Sequence, residues 1–161
     1  MLEIRRAWRC DAQAAYDIRL QAIRHQCGTA YSAEQVRAWT AVPLSNWYRD
    51  LVESHFYLAC IKGRPIATGM IDLEKGEIGA LFVLPEFMKR GVGKNMIAHL
   101  EDLARAAGLT DVHLEATLNA VDFYQRCGFT GDVESTYQSP SGLQLACIPM
   151  RKSLVGTFDC W

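Results

Sequence analysis

The segment Glu77–Lys94, EIGALFVLPEFMKRGVGK, constrains the fold more than any other part of the chain. An apolar run from Ile78 to Leu84 is stopped by Pro85, and a basic turn follows: Lys89, Arg90, Gly91, Val92, Gly93, Lys94. Behind Gly93 the residues take up an amphipathic helical pattern. A buried strand that runs into a loop of free N–H groups and cations, with a helix opening behind it, is a physical design for holding phosphates. The first turn of a helix offers unsatisfied N–H donors and a partial positive charge. Gly91 and Gly93 have no Cβ, so the backbone there can take unusual angles and approach a ligand closely. The spacing is neither that of the nucleoside-triphosphate P-loop nor that of the dinucleotide fingerprint. The plainer alternative is a glycine-bearing strand-to-helix turn with surface cations.

On the N-terminal side, Leu2 to Ala7 alternates as an edge strand does. Asp11 stands where it can cap a helix reaching Gln26, with Ala14, Ala15, Ile18, Ala22 and Ile23 at helical spacing. Gly28 breaks that helix. Ser32 opens a second one, and Gln35 completes a capping-box pattern ahead of Val36, Trp39 and Ala41, with Pro43 as its end. Ser45 or Asn46 starts a third. Phe56–Ile61 and Ile66–Leu73 read as strands in two successive hairpins that lead into Glu77.

On the C-terminal side, the helix after the basic turn buries Val92, Met96, Leu100 and Leu103 and stops at Gly108. Asp111–Thr117 is a further strand. A helix joins it to the Glu77 strand, so the two are expected to run parallel through a right-handed crossover. Asn119–Cys127 reads as a short helix closed by Gly128, and strands at Phe129–Gln138 and Leu143–Lys152 flank a Ser-Pro-Ser-Gly turn. The tail to Trp161 has no clear pattern. The expectation is one α/β domain over residues 1–161, with a mixed, mostly antiparallel sheet.

A net charge of −1 lacks the basic excess of a nucleic-acid binder, so no nucleic-acid partner is expected. Arg5, Arg6 and Arg9 interrupt any apolar run at the start and no stretch is long enough to span a membrane, so the expected location is cytoplasmic, with no membrane partner. The six cysteines (Cys10, Cys27, Cys60, Cys127, Cys147, Cys160) show no metal-ligand spacing and read mostly as small buried hydrophobes, with no metal site.

The segment Leu114–Phe129, LEATLNAVDFYQRCGF, adds a second motif: Asn119-Ala120, then Phe123-Tyr124, then Gly128-Phe129. With Gly91 and Gly93 ahead of it, this order resembles the GNAT superfamily of N-acetyltransferases. That family's acyl-CoA pyrophosphate loop reads Gln or Arg, two residues, Gly, one residue, Gly or Ala. Met88 stands where Gln or Arg is usual, which leaves the charge on the phosphates to Lys89, Arg90 or Lys94. The resemblance implies a GNAT-like fold, with the central parallel strand pair splayed around acyl-CoA and flanked by helices, and acetyl-CoA as cosubstrate.

Site residues follow from the same resemblance. Leu81, Phe82 and Val83 would hold the cosubstrate's amide arm, with the thioester carbonyl near the backbone N–H of Phe82 or Val83. Met88, Lys89, Arg90, Gly91, Val92, Gly93 and Lys94 would form the pyrophosphate loop, and Asn119, Phe123 and Tyr124 would make further contacts. Asn119 also reads as a helix N-cap. Tyr124 is the implied acid for the departing thiolate. A phenol of pKa ~10 serves a thiol of pKa ~8.5 only in a concerted or water-excluded setting. An amine of pKa ~10 must first lose a proton, and Glu77 starts the strand near the position where the histone-acetyltransferase branch carries its glutamate base, which makes it the first candidate. Other members use a water chain.

In this fold the acceptor meets the thioester between the first two helices and the late hairpin. That points to His25, Tyr31, Trp39 and Tyr57, with Glu34 and Trp47 as further candidates that could hold an amine by charge and cation–π contact. Core packing is the plainer role for Trp39 and Trp47. The expected function is transfer of an acetyl group from acetyl-CoA to a primary amine of a small molecule or peptide, by direct attack in a ternary complex. One alternative is a catalytically weak acyl-CoA sensor or interaction module, which Met88 keeps open; another is an O-acyl or longer-acyl transferase. Dimers are common in the family, so a homodimer is a candidate assembly.

Overall fold

The computed structural model describes residues 1–139 and 141–155, so Pro140 of the late turn and the tail from residue 156, with Cys160, lie outside the described residues. Seven strands form one sheet: β1 (Leu2–Arg6), β2 (Phe56–Ile61), β3 (Arg64–Asp72), β4 (Glu77–Val83), β5 (Asp111–Thr117), β6 (Ser135–Gln138) and β7 (Gln144–Ser153). Five α-helices accompany them: α1 (Ala12–Gln26), α2 (Ala33–Thr40), α3 (Asn46–His55), α4 (Val92–Ala106) and α5 (Val121–Arg126). The strand order is β1-β2-β3-β4-β5-β7-β6. Among the described residues only β4 and β5 are parallel neighbours, because α4 carries the chain across between them.

Short hairpins build the first half of the sheet. Lys62 (φ 51°) and Gly63 (φ 80°) form the β2–β3 turn with two successive positive φ angles, the conformation that matches the twist of paired strands. Alternation along β2 and β3 sends Phe56, Leu58 and Met70 toward Ala15 of α1 and Val52 of α3. The opposite face packs on α4. A Cβ on Gly69 would lie 2.6 Å from Met96 Cγ, so strand and helix meet there without a side chain between them. Met96, Leu100 and Ala104 then share one core with Ile78, Val112 and Leu114.

Several expected features have a different local cause. Asp11 does not cap α1; it accepts from Arg5 at 2.8 and 3.1 Å and from the Trp8 N–H at 2.7 Å, tying β1 to the turn before the helix. Ser32 and Gln35 do form the reciprocal box, each bond 3.0 Å long. Ser45, not Asn46, caps α3, accepting from the Tyr48 N–H at 3.2 Å. The inner face of α4 is Val92, Met96, Ile97, Leu100 and Ala104, with Leu103 only half-buried. β6 starts at Ser135 rather than Phe129, because Phe129 is drawn into the core and Thr130 makes a lone bridge to Arg151. Of the described cysteines, Cys27, Cys60 and Cys147 are buried, Cys127 is half-buried and Cys10 is exposed. Among the described residues no helix is long and apolar enough to cross a membrane.

One ion pair sits inside the fold. Glu101 of α4 is 5% exposed, and Lys152 of β7 donates to both of its carboxylate oxygens at 3.0 Å and to the Cys127 carbonyl at 2.7 Å. The pair fastens α4, β7 and the end of α5 to one another.

Candidate active site

β4 carries one extra residue. Thr68 pairs with Phe82 and Met70 with Gly79, so Ala80 and Leu81 both stand opposite Gly69. Ala80 takes the strained place, at φ 49°, where an L residue is penalised by about 1–2 kcal/mol. Buried Thr68 offsets part of that by donating its Oγ1 hydrogen to the Ala80 carbonyl at 2.6 Å. A bulge raises the local twist and re-aims the residues after it. β4 and β5 meet at one pair, Glu77 with His113, and then part. On the far side of β4, the Leu84 N–H donates to the Ile66 carbonyl at 2.9 Å. Alternation turns the Phe82 N–H toward β3 as well and the Val83 N–H into the gap beside β5. Of those two amides, Val83's is the one that faces open space.

The loop that follows opens onto the same gap. A 3₁₀ turn, Pro85–Phe87, leads to Gly91, the N-cap of α4, whose φ of 81° favours glycine. Nothing lies within 4 Å of the place where its Cβ would stand. The first intrahelical bond runs from the Asn95 N–H to the Gly91 carbonyl at 3.0 Å, and no side chain caps the helix. Among the described residues the N–H groups of Lys89 to Lys94 donate to no protein acceptor, and Lys89, Arg90 and Lys94 are exposed around them. Gly93 lies inside the first turn of α4, not ahead of it, and it serves packing. A Cβ there would come 3.1 Å from Phe123 Cζ, so the two sequence motifs are in contact. Met88 is turned to α1, where Gln26 Nε2 donates to its Sδ at 3.0 Å. Gln26, which the sequence reading missed, thereby places its side-chain amide beside Met88.

Tyr124 is buried, its ring edge-on to Phe123 (5.2 Å between centroids) and Phe129 (5.9 Å). Among the described residues its hydroxyl has no protein hydrogen-bond partner. Burial, and then the neighbouring Cys127, push its pKa above the ordinary tyrosine value, which keeps the proton in place at neutral pH. Asn119 does not cap α5. It is exposed in a 3₁₀ turn, Leu118–Ala120; burial pushes the pKa of the Cys27 thiol up to about 11.

The four residues expected at the acceptor are not brought together. Tyr31 and Trp39 are core residues, edge-on to each other at 5.8 Å. Tyr31 donates to the Ala146 carbonyl at 2.5 Å and accepts from the Leu118 N–H at 3.1 Å, pinning the end of β5 to β7. Tyr57 lies on the α4 face against His99, 5.3 Å away, with the sheet between it and α1–α3. His25, Glu34 and Trp47 are exposed.

A different set shares the α1 face of the sheet. Glu77 and His113 are register partners, with Nε2 and Oε2 3.9 Å apart, and alternation places Glu115 beside them. Tyr137 of β6 stands close enough to feel them. Burial and then the charges of Glu115 and Glu77 push its pKa up, while Arg19 of α1 acts the other way. Loss of hydration, and then the negative charge of Glu77, push the Glu115 carboxyl up. Once the register is known, His113 and Glu115 follow from alternation alone; the register of a parallel pair is not written in either strand.

Known proteins are similar to this chain in sequence and in fold. The model of the Acetyltransferase (GNAT) family matches residues 16–129. The uncharacterized N-acetyltransferase YafP of Escherichia coli is 30% identical over 128 residues, covering 80% of this chain and 81% of that protein. The crystal structure of a GCN5-related N-acetyltransferase from Rhodopseudomonas palustris superimposes with a TM-score of 0.85 at 27% identity over 94% of each chain. The PaiA N-acetyltransferase of Thermoplasma acidophilum, solved with coenzyme A, shares the fold at a TM-score of 0.72 and 17% identity over 95% of this chain and 99% of that one. The family match runs through the bulged strand, the open loop and the Tyr124 helix alike, and the chain belongs to the GNAT acetyltransferase family.

Proposed function

We propose that this chain moves an acetyl group from acetyl-CoA to a primary amine of a small molecule or peptide by direct attack in a ternary complex. The observation that carries the reading is the parting of β4 from β5 after Glu77 and His113, which sets an unpaired strand edge beside the open N-terminus of α4. The amides of Lys89 to Lys94, with the cations of Lys89, Arg90 and Lys94 and the Gln26 amide, suit a pyrophosphate. The Val83 N–H is free to polarise the thioester carbonyl as charge develops on its oxygen. Glu77, at the other end of β4 from Val83, takes the proton of the attacking amine through water. As the N–C bond forms and the C–S bond breaks, Tyr124 delivers a proton to the thiolate. Met88 favours a CoA-binding module without turnover; release of free thiol across a panel of amines decides between the two.

Two measurements test the parts. CoA at a hundredfold excess over its dissociation constant should add ~2.7 kcal/mol of stability. In a domain of this size that raises the melting temperature by about 5–10 °C. Gly91→Asp should abolish the rise, since it puts a side chain and a negative charge into the space in front of the loop; an equal rise in both proteins would remove the loop from the site. Glu77→Gln should lower kcat/KM at neutral pH by about 10²-fold. Raising the pH toward ~10 should partly restore the rate, because the amine then loses its proton in solution. A variant whose pH profile matches wild type would return Glu77 to the surface.

A further inference from the structure

Phe87 carries two guanidiniums on one ring. Arg64 Cζ lies 5.6 Å and Arg90 Cζ 5.7 Å from its centroid, both inside the range over which an aromatic face attracts a cation. The ring itself is fixed. It is half-buried on the core that α4 shares with β4 and β5, and its backbone N–H donates to the Leu84 carbonyl at 2.9 Å. Beyond it the chain doubles back: Lys89 takes a left-handed φ of 61° and Gly91 one of 81°, and Arg90 between them is returned over Phe87. An L residue at positive φ is penalised, so the turn at Lys89 holds this geometry against a local cost. The two cations differ in what else they meet. Arg64 is paired with Glu86 at 3.3 Å, whereas among the described residues the Arg90 side chain has neither an ion pair nor a hydrogen bond.

A guanidinium that rests on a ring is held through its face, and its in-plane N–H groups remain for another acceptor. We propose that Phe87 is a positioning residue for the cosubstrate: its ring keeps the unpaired Arg90 guanidinium at the mouth of the loop, set to meet a phosphate, while Glu86 balances the charge of Arg64 on the same ring. This rests on the reading above that the loop takes the pyrophosphate of acetyl-CoA. Met88 brings no charge to that loop, and among the described residues Lys89 and Lys94 have no aromatic seat of this kind. A free arginine gives up rotamer freedom when it grips an anion, and one already confined by a ring gives up less. The guanidinium fork then matches two phosphate oxygens in geometry and charge.

The test is a double-mutant cycle read as CoA affinity by calorimetry. Arg90→Met should weaken CoA about 10–10²-fold, the usual worth of hydrogen bonds to a charged group. Phe87→Leu, which keeps bulk and removes the ring, should weaken it about 2–5-fold, the worth of an exposed cation–π contact. In the Arg90→Met background Phe87→Leu should cost nothing further, because the ring acts only through the guanidinium; a ring that merely packs would cost the same in both backgrounds. Phe87→Tyr should recover the affinity that leucine loses. A trifluorinated phenylalanine in place of Phe87 nearly keeps the shape and withdraws the negative face of the ring, so it should weaken CoA as leucine does even if Phe87→Leu fails to fold. Wild-type affinity in Phe87→Leu, an equal cost in both backgrounds, or wild-type affinity with the fluorinated ring would each overturn the proposal. CoA binding that Gly91→Asp abolishes and Phe87→Leu leaves untouched would keep the loop and remove the role of Phe87. A wild-type protein that binds no CoA would sink the reading of the loop and this proposal with it.

Discussion

Tyr124→Phe should lower turnover ~10²–10⁴-fold, the range expected for a positioned acid, and leave the CoA-induced rise in melting temperature intact. The substitution keeps the ring between Phe123 and Phe129 and removes only the hydroxyl. Because burial raises the phenol's pKa, the proton is held above the ordinary value, and the wild-type rate should show no loss from Tyr124 ionisation at any pH below ~10. Single-turnover measurement is the check, since slow product release would mask the chemistry. Wild-type single-turnover rates in the phenylalanine variant would refute the acid role.

Lys152→Met should be the most damaging single change outside the site. Methionine keeps most of the aliphatic stem, but Glu101 is left charged and unpaired at 5% exposure and the Cys127 carbonyl loses its donor. Breaking a buried pair from one side costs about 3–5 kcal/mol. That corresponds to a fall in melting temperature of roughly 6–20 °C. Arg105, 3.7 Å from Glu101 and half exposed, offers only weak compensation. The double variant Glu101→Met/Lys152→Met should recover most of the loss, since an apolar pair leaves nothing uncompensated. Equal denaturation midpoints for wild type and Lys152→Met would show that the pair contributes nothing.

The order of elements, both early hairpins and the parallel crossover were legible because each rests on local punctuation: Gly28, Lys62-Gly63, Pro85 and Gly108. The loop and the Tyr124 helix were legible because their residue types recur at fixed spacing in a family. What failed was information about which partner claims each side chain in the folded protein. Asp11 has the right residue type for a cap, but Arg5 and the Trp8 amide claim it first. Tyr57 looked available as an aromatic, but strand alternation puts it on the α4 side, a matter decided by which helix covers which face. Tyr31 and Trp39 satisfy each other in the core.

The single rung between β4 and β5 leaves the seven-stranded sheet as two panels that share a seam. On the reading proposed above, a cosubstrate lying in that seam would supply what ladder bonds supply elsewhere, and the one rung would be reinforced in the loaded protein. Anything that binds the folded chain alone drains the unfolded population by mass action. Resistance to proteolysis, which follows that population, then becomes a gauge of acetyl-CoA supply. The enzyme outlives its substrate's scarcity only as far as its own two panels hold together without it.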